Sequence, residues 1–332
     1  MVAVPNPLPS RNLFARAVWE GASLPAIMIG IIAGVTVIDC LWAVLRHFDI
    51  DRVAYARLAA LSLLLWLASL FYDHVRKAPS IAAMFFGTAF LIAFSAGFSV
   101  LNYFLLTVAH SRIDTQLAAF DRAMGVNWPA MVIAMAPHPV INGLLRVCYE
   151  TVLPQVALLV IGLGWRGQSK ILHEFCAALA VGAALTVAFW TVFPSFGAFS
   201  VYNLPRGVSA HLSLSLDQHY AHDLVQLLTN GPGRISPREV KGLIGFPSFH
   251  AAMAVLVVWY GRTLPYVRWP LVIWNILVLL ATPIQGGHHV VDVVAGLAVA
   301  AFSIAATARV ARNTVESART VYCGDAVTVP SD

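Results

Sequence analysis

Apolar runs long enough to cross a bilayer recur along almost the whole of this chain. A spanning helix needs roughly 20 largely apolar residues. Candidate stretches lie at 24–45, 57–73, 81–109, 140–164, 171–193, 248–264, 268–286 and 289–310. The fourth begins less cleanly than the others, because His138, Asn142 and Arg146 interrupt it. Only 11% of the 332 residues are charged, well below the roughly 25% of soluble domains. The expected fold is therefore all-α: a polytopic membrane bundle of about eight transmembrane helices.

Three regions follow. Residues 1–80 hold an N-terminal segment and two helices, 81–312 a six-helix core, and 313–332 a polar tail expected to be loose. The opening "MVAVPNPLPSRNLFARAVWE" lacks the apolar core and cleavage site of a signal peptide. Its second half suits a short amphipathic surface helix, and the first span is expected to remain as an anchor. Segment 111–130, "SRIDTQLAAFDRAMGVNWPA", alternates charge and apolar residues at helical spacing, as an interfacial helix does. Residues 194–247 form one long polar insert within the core, rich in Gly, Pro, Ser, His and Arg. Long loops of this kind are usually functional or disordered.

The net charge of +5 comes from basic residues scattered singly between apolar blocks, so no nucleic-acid partner is expected. Eight spans put both termini on one side, with Arg76, Lys77, Arg166, Lys170, Arg262, Arg268, Arg309 and Arg312. Basic residues in short loops mark the cytoplasmic side. The expected location is a bacterial inner membrane, with the termini cytoplasmic and the insert on the periplasmic face. The four cysteines, Cys40, Cys148, Cys176 and Cys323, show no pairing pattern.

Two blocks carry chemistry: "GFPSFHAAMA" at 245–254 and "GGHHVVD" at 286–292. Each opens an even-numbered span, so His250 and His288 start from the same membrane face and can converge. His288 and Asp292 are four apart and share a helix face, where a carboxylate can orient an imidazole and stabilise its cation. Pro247 and Ser248 suit a helix start. Backbone amides there and at Gly286 and Gly287 offer a cradle for an anion. An activated histidine, a second histidine to protonate a leaving group and an anion cradle together describe phosphoryl transfer through phosphohistidine. That chemistry requires no metal and no cofactor.

The "PSFH" and "HHVVD" blocks resemble the second and third signature motifs of the type 2 phosphatidic acid phosphatase superfamily, P-S-x-H and H-x-x-x-D. The longer form "GFPSFHAAMAV … PIQGGHHVVDVVAG" looks like its branch related to inositol phosphorylceramide synthases. That branch also has a stretch similar to "DTQLAAFDRAMGVNWP", then a Tyr and a Gln like Tyr149 and Gln155. The resemblance covers roughly 81–310. It implies His288 as nucleophile, Asp292 as its orienter and His250 as the general acid that later turns base. The superfamily's third motif usually has an Arg six residues before the nucleophile, where this chain has Thr282, and its first motif has no clean match. Arg206, Arg234, Arg238 and Lys241 in the insert are candidate phosphate clamps beside Ser248, Gly286 and Gly287.

The expected function is an enzyme acting on a lipid or polyprenyl phosphate. The acceptor would be water in a phosphatase, or an inositol, sugar or ceramide hydroxyl in a phosphotransferase. The other class is a non-catalytic lipid-binding or transport protein on the same fold, its histidines relaying protons. His289 competes for the nucleophile's role, but Asp292 lies only three residues on. "DQHYAHDL" offers His219, His222 and Asp223 as a weak metal pattern, more often explained by a solvated or interfacial helix face. Asp39 within the first span marks a functional pathway, a helix–helix hydrogen bond or a misplaced boundary.

Overall fold

The structure is a computed structural model describing residues 11–108, 111–205, 212–216 and 218–324. Arg206 therefore lies outside the described residues. The described chain is helical: α1 (Arg11–Arg46), α2 (Arg52–His74), α3 (Pro79–Leu105), α4 (Asp114–Ala123), α5 (Trp128–Ile133) and α6 (Pro139–Glu150). There follow α7 (Val152–Trp165), α8 (Ser169–Val192), α9 (Gln218–Asn230), α10 (Phe249–Gly261), α11 (Arg268–Gln285) and α12 (Val290–Gly324). Six of these are long and apolar enough to cross a membrane, and the bent pair α6–α7 makes a seventh candidate. The chain is a polytopic helical membrane protein.

Two of the eight expected spans depart from a simple crossing. The fourth is broken by 50° between α6 and α7. Pro154 has no N–H for the carbonyl of Glu150. Thr151 Oγ1 also competes for the carbonyls of Val147, at 2.8 Å, and Cys148, at 3.0 Å. The sixth, α10, has 13 residues. At ~1.5 Å each that is roughly 20 Å, short of a hydrocarbon core of about 30 Å.

Other boundaries shift as well. The amphipathic segment at 111–130 is not one helix but two, α4 and α5. Gly125 turns the chain at a φ of 79°, and Asn127 caps α5 by accepting the amide of Ala130 at 3.1 Å. At the N-terminus, residues 11–46 form one continuous helix rather than a separate surface piece followed by a span. The last helix likewise continues to Gly324, into the region expected to be a loose tail.

The core centres on α8, whose Ala177, Ala178, Ala180 and Gly182 are buried. Small residues let helix backbones approach closely where no hydrophobic driving force is available between them. Helices α3, α10 and α12 all pack on it.

The turns 166–168 and 262–267 meet at one end, where Thr263 Oγ1 donates to Gln168 Oε1 at 2.7 Å. Ser80, at the start of α3, lies against Gly167 in the same region. At the other end the described part of the insert is folded. It contributes α9, and it pairs with the α1–α2 turn through Asp51 N–H to Ile235 O, at 2.9 Å, and Ile235 N–H to Asp49 O, at 2.8 Å.

Candidate active site

The site forms where α10 and α12 begin. Ser248 N–H donates to the carbonyl of Asp292 at 3.0 Å, which locks the two helix starts together. Ser248 also caps α10, its Oγ accepting the amide of Ala251 at 3.4 Å. The Phe246–Pro247 peptide just before it is cis. Ser248 and Asp292 are fully buried, and His288 nearly so.

His288 is held at both ring nitrogens. Nδ1 lies 2.8 Å from the carbonyl oxygen of Gly245 and 3.3 Å from Asp292 Oδ2. A carbonyl only accepts, so Nδ1 carries the proton and Nε2 presents a lone pair. Ser248 Oγ lies 3.4 Å from that Nε2. The Asp292 carboxylate is shared, because its Oδ2 also accepts the amide of His289 at 2.8 Å. Sequence spacing pointed to Asp292 as orienter. The closer contact, from the Gly245 carbonyl, carries no side-chain signature and could not be read there.

His250 reaches the same place from α10. Tyr149 of α6 stacks on its ring with centroids 4.3 Å apart. A side chain at Gly286 would begin 2.7 Å from Tyr149 Oη and 2.9 Å from His288 Cδ2, so Tyr149 and His288 converge on this bare backbone. Gly286 thus matters for what it lacks. Its amide does not serve an anion cradle, because it closes α11 by donating to Thr282 O at 3.1 Å. Thr282, where the superfamily usually has Arg, is buried and bonds back to Val278 O at 2.8 Å. Gly287 ties the turn to the insert, its carbonyl accepting the amide of Ala198 at 2.6 Å.

The nominated insert cations sit on other partners. Arg234 pairs with Asp51 at 3.4 Å, and the charge of Arg238 also acts on Asp51. Lys241 bonds Asp223, and Asp223 lies well below its ordinary carboxylate range because of that bond. His222 Nε2 lies 3.0 Å from the side chain of Gln226. Among the described residues, no three His, Cys, Asp or Glu side chains gather as metal ligands.

Two buried carboxylates on α4 carry no signature in the sequence motifs. Asp114 and Asp121, seven apart, share one face of the helix. Asp121 accepts the first free amides of α12, from Val290 at 2.8 Å and Val291 at 3.0 Å, where a negative charge also suits the helix dipole. Asp114 Oδ1 gathers Ser195 Oγ at 2.8 Å and the amides of Phe196 at 2.9 Å and Gly197 at 3.0 Å. The i, i+7 acidic pair is the available signal, and in sequence it reads as part of an interfacial helix.

His289 is fully buried and 3.7 Å from Asp121 Oδ2, beyond a hydrogen bond. Neither of its ring nitrogens has a partner among the described residues. Burial, helped by the charges of His288 and Arg122, pushes its imidazole down to about 4. Arg122 itself bonds Tyr202 Oη at 2.9 Å and is a cation near the site that the sequence did not nominate.

A family model described as the PAP2 superfamily matches residues 115–306, more than half of the chain. The protein belongs to the PAP2 superfamily, a phosphatase and phosphotransferase class of fold. Neither a curated protein nor a solved structure matches the chain.

Proposed function

We propose that this integral membrane protein transfers or hydrolyses the phosphate of a lipid or polyprenyl phosphate through a phosphohistidine on His288. The observation that carries the reading is the tautomer. With Nδ1–H held by Gly245 and Asp292, Nε2 keeps its lone pair for phosphorus. Attack forms the N–P bond and breaks the bond from phosphorus to the leaving oxygen, which takes a proton from His250. His250 then removes a proton from water or an alcohol as that oxygen attacks phosphorus, and His288 is released. Asp292 stabilises the imidazolium character that develops.

Arg122 joins Arg206, Arg234, Arg238 and Lys241 as a candidate to hold the phosphate. At Arg234 and Lys241 a phosphate must compete with Asp51 and Asp223. The likeness to the inositol phosphorylceramide synthase branch favours an alcohol acceptor such as inositol, a sugar or ceramide. The site lies at the membrane end away from the turns that carry Arg166, Arg262 and Arg268. We place it on the periplasmic face of a bacterial inner membrane.

The test is purified full-length protein incubated with a panel of lipid and polyprenyl phosphates, measuring released phosphate. Inositol, a sugar or ceramide is then added and the transfer product sought. Neither hydrolysis nor transfer from any donor would overturn the enzymatic reading and favour a non-catalytic lipid-binding or transport protein.

A further inference from the structure

Helices α1 and α2 both pack on α3 and make little contact with each other. The crevice between them is a cavity of about 570 Å³. That size takes one small ligand or one lipid chain. Ala89, Ala93 and Ala96 of α3 form its floor, and Leu63 and Trp66 of α2 line one wall. The walls are almost wholly apolar.

Asp39 breaks that pattern. It lines the cavity from α1 with only 8% of its surface exposed, and its Oδ1 is buried without a hydrogen-bond partner among the described residues. The helix–helix hydrogen bond considered for it is not made. Ser62 and Tyr55, which also line it, are already served: Ser62 Oγ donates to Ala89 O at 2.8 Å, and Tyr55 Oη lies 3.0 Å from Ser99 Oγ. A buried carboxyl without a partner is expensive in an apolar setting. Something that donates a hydrogen bond belongs there.

We propose that this crevice is a binding site for a membrane lipid whose hydroxyl, amide or amine group donates to Asp39 while its chain lies along the alanine floor. The opening faces sideways between two helices, so the occupant enters from the bilayer. Asp39 is seven residues before the end of α1, about 10 Å along the axis. That depth suits the backbone of a lipid rather than its headgroup. The site is separate from the catalytic trio on α10 and α12 and does not depend on the reaction proposed for it.

The experiment uses full-length protein in phosphatidylcholine nanodiscs and three diazirine probes with the same C18 chain, ending in an amine, an alcohol or a methyl ether. Cross-linked peptides are located by mass spectrometry. A donor-bearing probe should label the α1–α3 peptides about tenfold above the ether, the value of one charge-assisted hydrogen bond. Amine against alcohol identifies which donor the site prefers. Asp39→Leu should reduce labelling to the ether's level. Ala93→Leu, which keeps the carboxyl and fills the space, should do the same, and His288→Ala should leave labelling unchanged. Equal labelling by the ether overturns the proposal, even if Asp39→Leu fails to fold. So does undiminished labelling of Ala93→Leu, or a dimer that Asp39→Leu dissolves, which would make a second copy the occupant.

Discussion

Tyr149 lies flat against His250, the two rings only 12° from parallel. His250 is on a short helix and its ring makes no hydrogen bond among the described residues, so the stack is what sets the direction of its ring. Tyr149→Phe keeps the aromatic face and should retain activity within about tenfold, since a stack is worth roughly 0.5–1.5 kcal/mol. Tyr149→Ala frees the ring and should lower kcat by one to two further orders of magnitude, as misplaced catalytic groups do. Equal rates for the two variants would show that the stack has no catalytic role.

His288 and His289 are neighbours in opposite circumstances. His288→Ala removes the proposed nucleophile and should cost more than about 10³-fold in kcat in a folded protein. His289→Gln should keep activity within about tenfold, because its ring holds no bond in the site. Phosphate release from the two purified variants checks this. The opposite ranking would make His289 the nucleophile.

Asp292→Asn should do less harm than the roughly 10⁴-fold loss seen when a triad aspartate is so changed. There the aspartate alone sets the histidine tautomer. Here the carbonyl of Gly245 remains at 2.8 Å and still accepts the Nδ1 proton. Only the negative charge is lost, and a decrease of about 10²-fold in kcat is expected. A full triad-sized loss in steady-state turnover would mean that Gly245 does not hold the tautomer.

Acid should destabilise the protein through His289. Its pKa falls from 6.5 to about 4 on folding, so the unfolded chain binds more protons between those values. The contribution is complete above pH 6.5 and is lost as pH falls toward 4, amounting to at most about 3 kcal/mol. Thermal melting of the wild type should decline through that window, and His289→Gln should decline less steeply. Parallel curves would show that folding leaves the titration of His289 unchanged.

Membrane orientation is open to chemical labelling after the native thiols are removed. A cysteine at Ser213, exposed beside α6 at the site end, should react with a membrane-impermeant thiol reagent on intact cells. One at Gln168, which lies against Thr263 at the opposite end, should not. The reverse pattern would turn the active site toward the cytoplasm.

The bundle and the contact between His288 and Asp292 could be read from sequence because both are periodic. Apolar runs of spanning length announce helices, and residues four apart announce a shared face. What escaped was whatever the backbone supplied or tertiary burial reversed. Gly245 acts through a carbonyl that every residue has. Asp114 and Asp121 look like the polar stripe of an interfacial helix, and only the packing of that helix against α12 and the segment at 195–197 makes them internal staples. Thr151 and Pro154 sit inside an apolar run, and the 50° break they produce is easily smoothed over when hydropathy is averaged.

The pairing of Ile235 with the α1–α2 turn has a consequence for how this chain can be divided. The PAP2 match begins at residue 115, which makes everything before it look dispensable. Yet the insert whose Gly245 carbonyl holds His288 is moored to that earlier part by two backbone hydrogen bonds and the Arg234–Asp51 contact. A chain beginning at residue 81 would keep every catalytic side chain and lose the mooring. The two leading helices therefore act as a footing for the insert: cut them away, and the stretch of chain that aims His288 loses its far support.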